Sequence, residues 1–88
     1  MKLVRISAIW CSSCIITYPI WNKIKEKYPD FEYVELDYDM DDITNYEVNE
    51  ILPVIIIYKG NTEIARLIGE KTELEISNKI EELLWKKY

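Results

Sequence analysis

Hydrophobic positions change their spacing along the first third of the chain, and the changes predict a strand, a helix and a second strand. Residues 2–9 are apolar with alternating interruptions, which is typical of a strand. Residues 12–28 show helical spacing, and residues 31–37 return to a period of two. A helical crossover between strands is right-handed, so the two strands should be parallel. The helix face expected to pack on the sheet consists of Ile16, Ile20, Trp21 and Ile24.

The second half of the chain predicts a hairpin and a closing helix. Residues 51–58 form a nearly continuous apolar run, typical of a central strand buried on both faces. A turn at residues 59–62 and a return strand over 63–68 complete the hairpin. Thr72 and Glu75 have the spacing of a capping box, which predicts the start of the last helix. Its apolar face should be Ile76, Ile80, Leu83 and Leu84, with Lys86 and Lys87 at its end.

Length and composition indicate a single α/β domain over residues 1–88. No apolar run approaches ~20 residues, and the first ten residues lack the long apolar stretch of a signal peptide. The net charge of −5 argues against a nucleic-acid partner and against an anionic membrane surface. The absence of histidine excludes Cys-His hydrolases, and two cysteines alone do not make a four-ligand zinc site. We therefore expect no metal centre.

Both cysteines, Cys11 and Cys14, lie where the first strand turns into the first helix. The unpaired backbone N–H groups of a first helical turn carry positive partial charge, so a thiolate at Cys11 is stabilised there. Cys14 is one turn further on and can reach back to close a disulfide with Cys11. This is the chemistry of dithiol–disulfide exchange. Two alternatives are that both cysteines are ordinary buried residues, or that the pair binds Cu(I).

An acidic stretch follows the second predicted strand. The spacing of Asp37, Asp39 and Asp41 is similar to that of a calcium loop. However, Asp42 stands where such a loop needs glycine, and Val48 where it needs glutamate. The preferred interpretation is a strand end followed by aspartates that cap a short helix over residues 43–48.

These features together resemble the thioredoxin family over nearly the whole chain. Trp10-Cys11-Ser12-Ser13-Cys14 is similar to the family's Trp-Cys-x-x-Cys motif. The other landmarks in register are a helix-kinking proline, a strand-closing aspartate, a cis-proline and a groove glycine, matched here by Pro19, Asp39, Pro53 and Gly69. The resemblance implies a thioredoxin-like fold with a four-stranded mixed sheet in the order β-α-β-(α)-β-β-α. The first strand and helix of full-length thioredoxin are missing, so the size is near that of glutaredoxin.

The resemblance also implies an activity and a set of site residues. Cys11 would be the nucleophile and Cys14 the resolving thiol of a dithiol–disulfide oxidoreductase, with the Cys11–Cys14 disulfide in place of a cofactor. Leu52 would hydrogen-bond an extended substrate through its backbone. The surrounding apolar rim would be formed by Trp10, Ile51, Pro53, Ile68 and Gly69. For Trp10, Ile51 and Ile68 the alternative is simple packing.

The implied partners are disulfide-containing protein substrates, with a reductase or glutathione for regeneration. We expect a cytoplasmic monomer that works in electron transport and reduces its substrates, because a leaderless chain is expected in a reducing compartment. The alternative is a redox-sensing or interaction module without efficient turnover.

One departure from the family concerns two charged positions. The family's catalytic strand carries a buried aspartate six residues before the first cysteine, and a neighbouring lysine lies on the next strand. The matching positions here hold Arg5 and Glu35, so the two charges are exchanged. Arg5 does not act as a base because it keeps its proton. Glu35 is therefore the candidate proton acceptor for Cys14, and the alternative is that Arg5 and Glu35 form a solvated surface pair.

Overall fold

Four strands and two helices form the protein in the computed structural model, which describes residues 1–85. The elements are β1 (Lys2–Ser7), α1 (Ser12–Lys27), β2 (Glu32–Asp37), β3 (Val54–Lys59), β4 (Thr62–Ile68) and α2 (Glu73–Trp85). This order agrees with the sequence prediction, except that the short helix after β2 is a single 3-10 turn, Thr44–Tyr46. The predicted helix end at Lys86 and Lys87 lies outside the described residues.

The sheet is mixed, as predicted, with the strand order β2-β1-β3-β4. β1 pairs in parallel with β2 and antiparallel with β3, and β3 pairs antiparallel with β4. β1 and β3 therefore lie in the centre, where most of their residues are buried regardless of which face they point to. This explains why residues 51–58 read as a continuous apolar run and not as an alternating one.

Two hydrophobic clusters lie on opposite faces of the sheet, because successive residues of a strand point to opposite sides. The first joins both helices to the sheet and has as its buried members Leu3, Trp21, Ile24, Ile55, Ile57, Ile76, Ile80 and Leu83. The second is covered by residues of the β2–β3 connection, and its buried members are Val4, Ile6, Ala8, Cys11, Cys14, Leu52, Val54 and Ile56. The two cysteines thus belong to the second cluster.

Two of the predicted helix-face residues are exposed and correct the sequence analysis. Ile16 is 63 % exposed and Leu84 is 47 % exposed. In α1 the buried positions are Cys14, Thr17, Trp21 and Ile24. In each helix, the apolar residues cover a wider face than the one that packs on the sheet. The position of the helix against the sheet decides which of these residues are buried.

Several element ends also differ from the prediction for local reasons. β3 begins at Val54 and not at residue 51, because Pro53 has no N–H to donate to the sheet. α1 continues through Pro19 to Lys27. The capping box at α2 is confirmed: the Glu75 N–H donates to Thr72 Oγ1 at 3.1 Å, and the Thr72 N–H donates to Glu75 Oε1 at 3.3 Å. Within residues 1–85, no helix has the length and apolar character needed to cross a membrane.

Candidate functional site

The dithiol is formed at the junction of β1 and α1. β1 ends at Ser7, and the Cys11 N–H donates to the Ala8 carbonyl oxygen at 3.2 Å, which closes the turn. Cys11 has an extended backbone and is the N-cap residue of α1. Its Sγ accepts a hydrogen bond from the Cys14 backbone N–H at 3.2 Å. The sulfur therefore occupies the position where a helix N-terminus offers an unpaired N–H and positive partial charge.

The two thiols are free in the structure and differ in their surroundings. Cys14 is 3 % exposed and Cys11 is 8 % exposed, so Cys14 is the more buried. Burial, together with a side-chain hydrogen bond with Cys11, raises the pKa of the Cys14 thiol to about 11. At neutral pH the Cys14 thiol is therefore protonated.

Arg5 lies directly beside Cys14. It projects from the central strand β1, and only 3 % of its surface is exposed. Its guanidinium Nη2 donates to the Cys14 carbonyl oxygen at 2.7 Å and its Cζ lies 5.5 Å from the centre of the Tyr18 ring. Burial lowers the pKa of Arg5 from its ordinary value. The side chain stays charged, because a guanidinium keeps its proton in proteins.

Arg5 and Glu35 do not form an ion pair. The two residues are partners in the parallel register of β1 and β2. Glu35 is nevertheless exposed because β2 is an edge strand, and within residues 1–85 no salt bridge joins it to Arg5. The alternative of a solvated surface pair is also wrong for Arg5, which is buried and partnered by a carbonyl and an aromatic ring.

A cavity of about 530 Å³ lies between the first turns of α1 and the carboxyl ends of β1 and β2. Its charged and titratable lining consists of Arg5, Cys14, Tyr18, Glu35, Asp37 and Asp41. The cavity is open to solvent, and the exposed side chains of Ile9 and Ile15 line it. Glu35 and Cys14 line the same cavity, although the two residues are 21 positions apart in the sequence.

The predicted substrate rim is brought together beside the dithiol. The Leu52–Pro53 peptide bond is cis, and Leu52 packs in the same cluster as Cys11. The Gly69 N–H donates to the Pro53 carbonyl oxygen at 2.9 Å, which ties the end of β4 to this loop. Ile51 and Ile68 are exposed, so the packing alternative does not apply to them.

Trp10 is held at the surface by a contact that the sequence analysis did not anticipate. Its indole Nε1–H donates to Asp39 Oδ2 at 2.6 Å, and its ring meets Tyr38 edge-on at 5.9 Å. The indole remains 57 % exposed. Trp10 is therefore fixed in orientation but available to a partner, and simple packing does not describe it.

The acidic stretch forms turns of the backbone. Asp37 Oδ1 accepts hydrogen bonds from the Asp39 and Met40 N–H groups, and Asp41 Oδ2 accepts from the Asp37 N–H. Asp42 Oδ1 accepts from the Thr44 N–H ahead of the 3-10 turn. The aspartates thus hold the turns after β2, but the expected aspartate cap of a short helix is not formed, because the N-cap of the 3-10 turn is Ile43 and has no side-chain hydrogen bond. In the described part of the chain, no group of three or more histidine, cysteine or acidic residues is placed to hold a metal ion.

Sequence reasoning missed Tyr18 and the burial of Arg5. The signal for Tyr18 was its position one turn after Cys14 on α1, where it faces the strand that carries Arg5. The signal for Arg5 was its place in the middle of an apolar central strand, where a charged side chain has to find partners inside the protein.

Comparison with known proteins gives a consistent result. The family model described as Thioredoxin matches residues 1–82. Thioredoxin H5 of Oryza sativa subsp. japonica is 35 % identical over 83 residues, which are 92 % of this chain and 60 % of that protein. A thioredoxin of Ophiophagus hannah is 32 % identical over 87 residues, or 98 % of this chain and 77 % of that protein.

Solved structures agree at the level of the fold. Fasciola hepatica thioredoxin superposes with a TM-score of 0.83 at 23 % identity, covering 92 % of this chain and 78 % of that one. A chain in the crystal structure of the ferredoxin:thioredoxin reductase and thioredoxin f2 complex gives a TM-score of 0.84 at 21 % identity, covering 94 % and 76 %. The predicted thioredoxin-like fold is thus confirmed.

Proposed function

The chain belongs to the thioredoxin family, and we propose that it is a thiol–disulfide oxidoreductase that reduces protein disulfides through Cys11 and Cys14. The observation that carries the proposal is the asymmetry of the two thiols. Cys11 Sγ caps a helix and accepts an N–H, whereas Cys14 is buried with a raised pKa. We therefore expect the Cys11 thiol to attack first and the Cys14 thiol to react in the second step.

In the first step, the Cys11 thiolate attacks one sulfur of a substrate disulfide. A Cys11–substrate mixed disulfide forms, the substrate S–S bond breaks, and the other substrate sulfur leaves as a thiolate. The first turn of α1 favours this step because the Cys14 N–H and the helix N-terminus stabilise negative charge at Cys11.

In the second step, Cys14 loses its proton and its thiolate attacks Cys11 Sγ. The Cys11–Cys14 disulfide forms, the Cys11–substrate bond breaks, and the second substrate sulfur leaves as a thiolate. Both substrate thiolates then take up protons from water, so that the substrate gains two electrons and two protons overall. Glu35 is the proposed proton acceptor because it lines the same cavity as Cys14. Water in the open cavity is the alternative acceptor.

We propose that substrates bind as extended segments beside Leu52, whose backbone would pair with them. The exposed side chains of Trp10, Ile51 and Ile68 support this proposal, because they offer apolar contacts around the dithiol. Gly69 and Pro53 would shape the surface between these side chains. Their hydrogen bond ties the β4 end to the loop before β3.

Regeneration of the dithiol requires an electron donor, for which we propose a reductase or glutathione. A reductase is supported by the thioredoxin f2 complex, in which a protein of the same fold is bound to one. A reducing direction also needs a reducing compartment, so we place the protein in the cytoplasm, acting as a monomer in electron transport. Its net charge of −5 disfavours partners that are polyanions, such as nucleic acids.

The proposed function is tested by insulin-disulfide reduction with a dithiol reductant, with Cys11→Ser as the control variant. We expect wild type to accelerate reduction and Cys11→Ser to fall to the rate of the reductant alone. Wild type that captures disulfide proteins stably but gives no acceleration would instead support the redox-sensing or interaction module. The redox potential of the Cys11/Cys14 pair tests the direction, since a strongly oxidising value would contradict it.

A further inference from the structure

A buried cation sits behind the resolving thiol. The Arg5 guanidinium has two partners there, the Cys14 carbonyl oxygen at 2.7 Å and the face of the Tyr18 ring at 5.5 Å. Neither partner is an anion, and within residues 1–85 no carboxylate forms a salt bridge with it. A charged side chain that is 97 % buried and forms no salt bridge is costly, even though the Glu35 carboxylate on the neighbouring strand is attracted to it.

The reaction creates a buried anion beside Arg5 in the resolving step. Once Cys11 is bound to substrate in the mixed disulfide, it no longer carries charge, and Cys14 becomes the only thiol at this site that ionises. A thiolate at Cys14 would then face the guanidinium that already contacts the carbonyl of the same residue. The buried setting strengthens their attraction because little water screens it.

We propose that Arg5 is a positioning residue for the resolving step: it holds the first turn of α1 through the Cys14 carbonyl and stabilises the Cys14 thiolate that attacks Cys11. This rests on the proposed function, and it goes beyond it by placing a cation at the position where the family carries an acid. The proton leaves Cys14 Sγ for the open cavity, the sulfur lone pair forms the Cys11–Cys14 bond, and the substrate sulfur departs. No additional oxidant or reductant is needed.

Among the charged groups that face Cys14, Arg5 is the one that favours a thiolate there. From β2 and the turn after it come Glu35, Asp37 and Asp41, which line the cavity and disfavour a thiolate. From α1 comes Tyr18, and from the turn before it comes Cys11. Among the described residues that line the cavity, Arg5 is the only cation. Its charge lowers the pKa of Cys14, against the larger effect of burial.

The direct test is an equilibrium titration of Cys14 in a Cys11→Ser background, followed by ultraviolet absorbance of the thiolate. Arg5→Gln removes the charge, and Lys79→Gln removes a cation from the exposed face of α2 as a matched control. We expect Arg5→Gln to move the Cys14 titration to higher pH and Lys79→Gln to leave it in place. Rapid-mixing kinetics on the variants with intact Cys11 should show mixed-disulfide resolution slowed by about tenfold at neutral pH in Arg5→Gln.

Folding is checked by circular dichroism, because replacing a buried arginine can unfold a domain. If Arg5→Gln does not fold, Arg5→Met in the Cys11→Ser background replaces it, since an apolar side chain of similar length removes the charge and leaves no buried polar group. Loss of the positive charge should again move the Cys14 titration to higher pH.

A folded Arg5→Gln or Arg5→Met with an unchanged Cys14 titration would overturn the role of Arg5. Failure of the proposed function is a separate result, because it would appear as the absence of any mixed disulfide at Cys11. The titration of Cys14 does not depend on that step.

Discussion

Cys11 Sγ and the Cys14 backbone N–H are joined by a 3.2 Å hydrogen bond, so the two halves of the dithiol are connected before any disulfide forms. The bond uses the backbone N–H of Cys14 and not its thiol. Helix capping and redox chemistry thus share one residue, since Cys11 is both the N-cap of α1 and the expected nucleophile.

The first prediction concerns the order of attack. Cys14→Ser should trap a mixed disulfide at Cys11 with a protein substrate, whereas Cys11→Ser should trap none. With a pKa of about 11, only about one Cys14 thiol in ten thousand is ionised at pH 7, so alkylation should label Cys11 first. Non-reducing electrophoresis and peptide mass spectrometry measure both outcomes. Faster labelling of Cys14 would reverse the assigned roles.

The second prediction concerns the stability of the reduced protein at alkaline pH. The folded state keeps the Cys14 proton up to a pKa of about 11, whereas an unfolded cysteine loses it at about pH 8.5. The native state therefore binds more protons between these values, and stability falls as pH rises through that window, by on the order of 2 kcal/mol.

Urea unfolding under reducing conditions at pH 7, 9 and 10.5 measures this effect. Cys14→Ala serves as the comparison, because its stability lacks the contribution of that thiol. The other titratable groups are the same in both proteins, so the difference between the two curves belongs to Cys14. Parallel curves would show that the thiol has the same pKa in the folded and unfolded states.

The third prediction concerns the role of Gly69 in substrate binding, as distinct from the backbone strain that a substitution there would cause. Gly69 has a φ of +87° and Gly60, in the β3–β4 turn, has a φ of +64°. Alanine at either position should cost about 1–2 kcal/mol, because an L residue is strained in this region. A Cβ at Gly69 would lie 3.6 Å from Ile51 Cγ2, whereas a Cβ at Gly60 meets nothing within 4 Å.

Gly69→Ala should therefore raise KM for a protein disulfide several-fold, and Gly60→Ala should leave KM unchanged at a similar loss of stability. Urea unfolding and steady-state kinetics on the two variants provide the comparison. Equal KM values would place Gly69 outside the substrate rim.

The fourth prediction concerns Glu35 as the proton acceptor. If Glu35 accepts the Cys14 proton, Glu35→Gln should slow mixed-disulfide resolution at neutral pH by about tenfold or more. Loss of its negative charge alone would act in the opposite direction, by favouring the Cys14 thiolate. The sign of the rate change in a pH profile therefore separates the two effects. A rate that is unchanged or faster would assign proton transfer to water in the cavity.

The sequence by itself determined the features that depend on neighbouring residues. The strand–helix junction at Cys11 and Cys14, the capping box at Thr72 and the β3–β4 hairpin all follow from local spacing. The cap requires only that Glu75 stand three residues after Thr72, and the hairpin requires only a short turn between two strands. These features formed as expected because the interactions that begin them lie within a few positions of one another.

Tertiary structure alone decided which side chains are buried and which distant groups meet. Ile16 has the same apolar character as Ile24, yet only Ile24 faces the sheet, because the position of the helix on the sheet selects one stripe. The Trp10–Asp39 bond and the placement of Arg5 against Cys14 depend on how β1, β2 and α1 come together. The cost of burying a charge is set by all the groups that surround it in space, and no spacing along the chain contains that information.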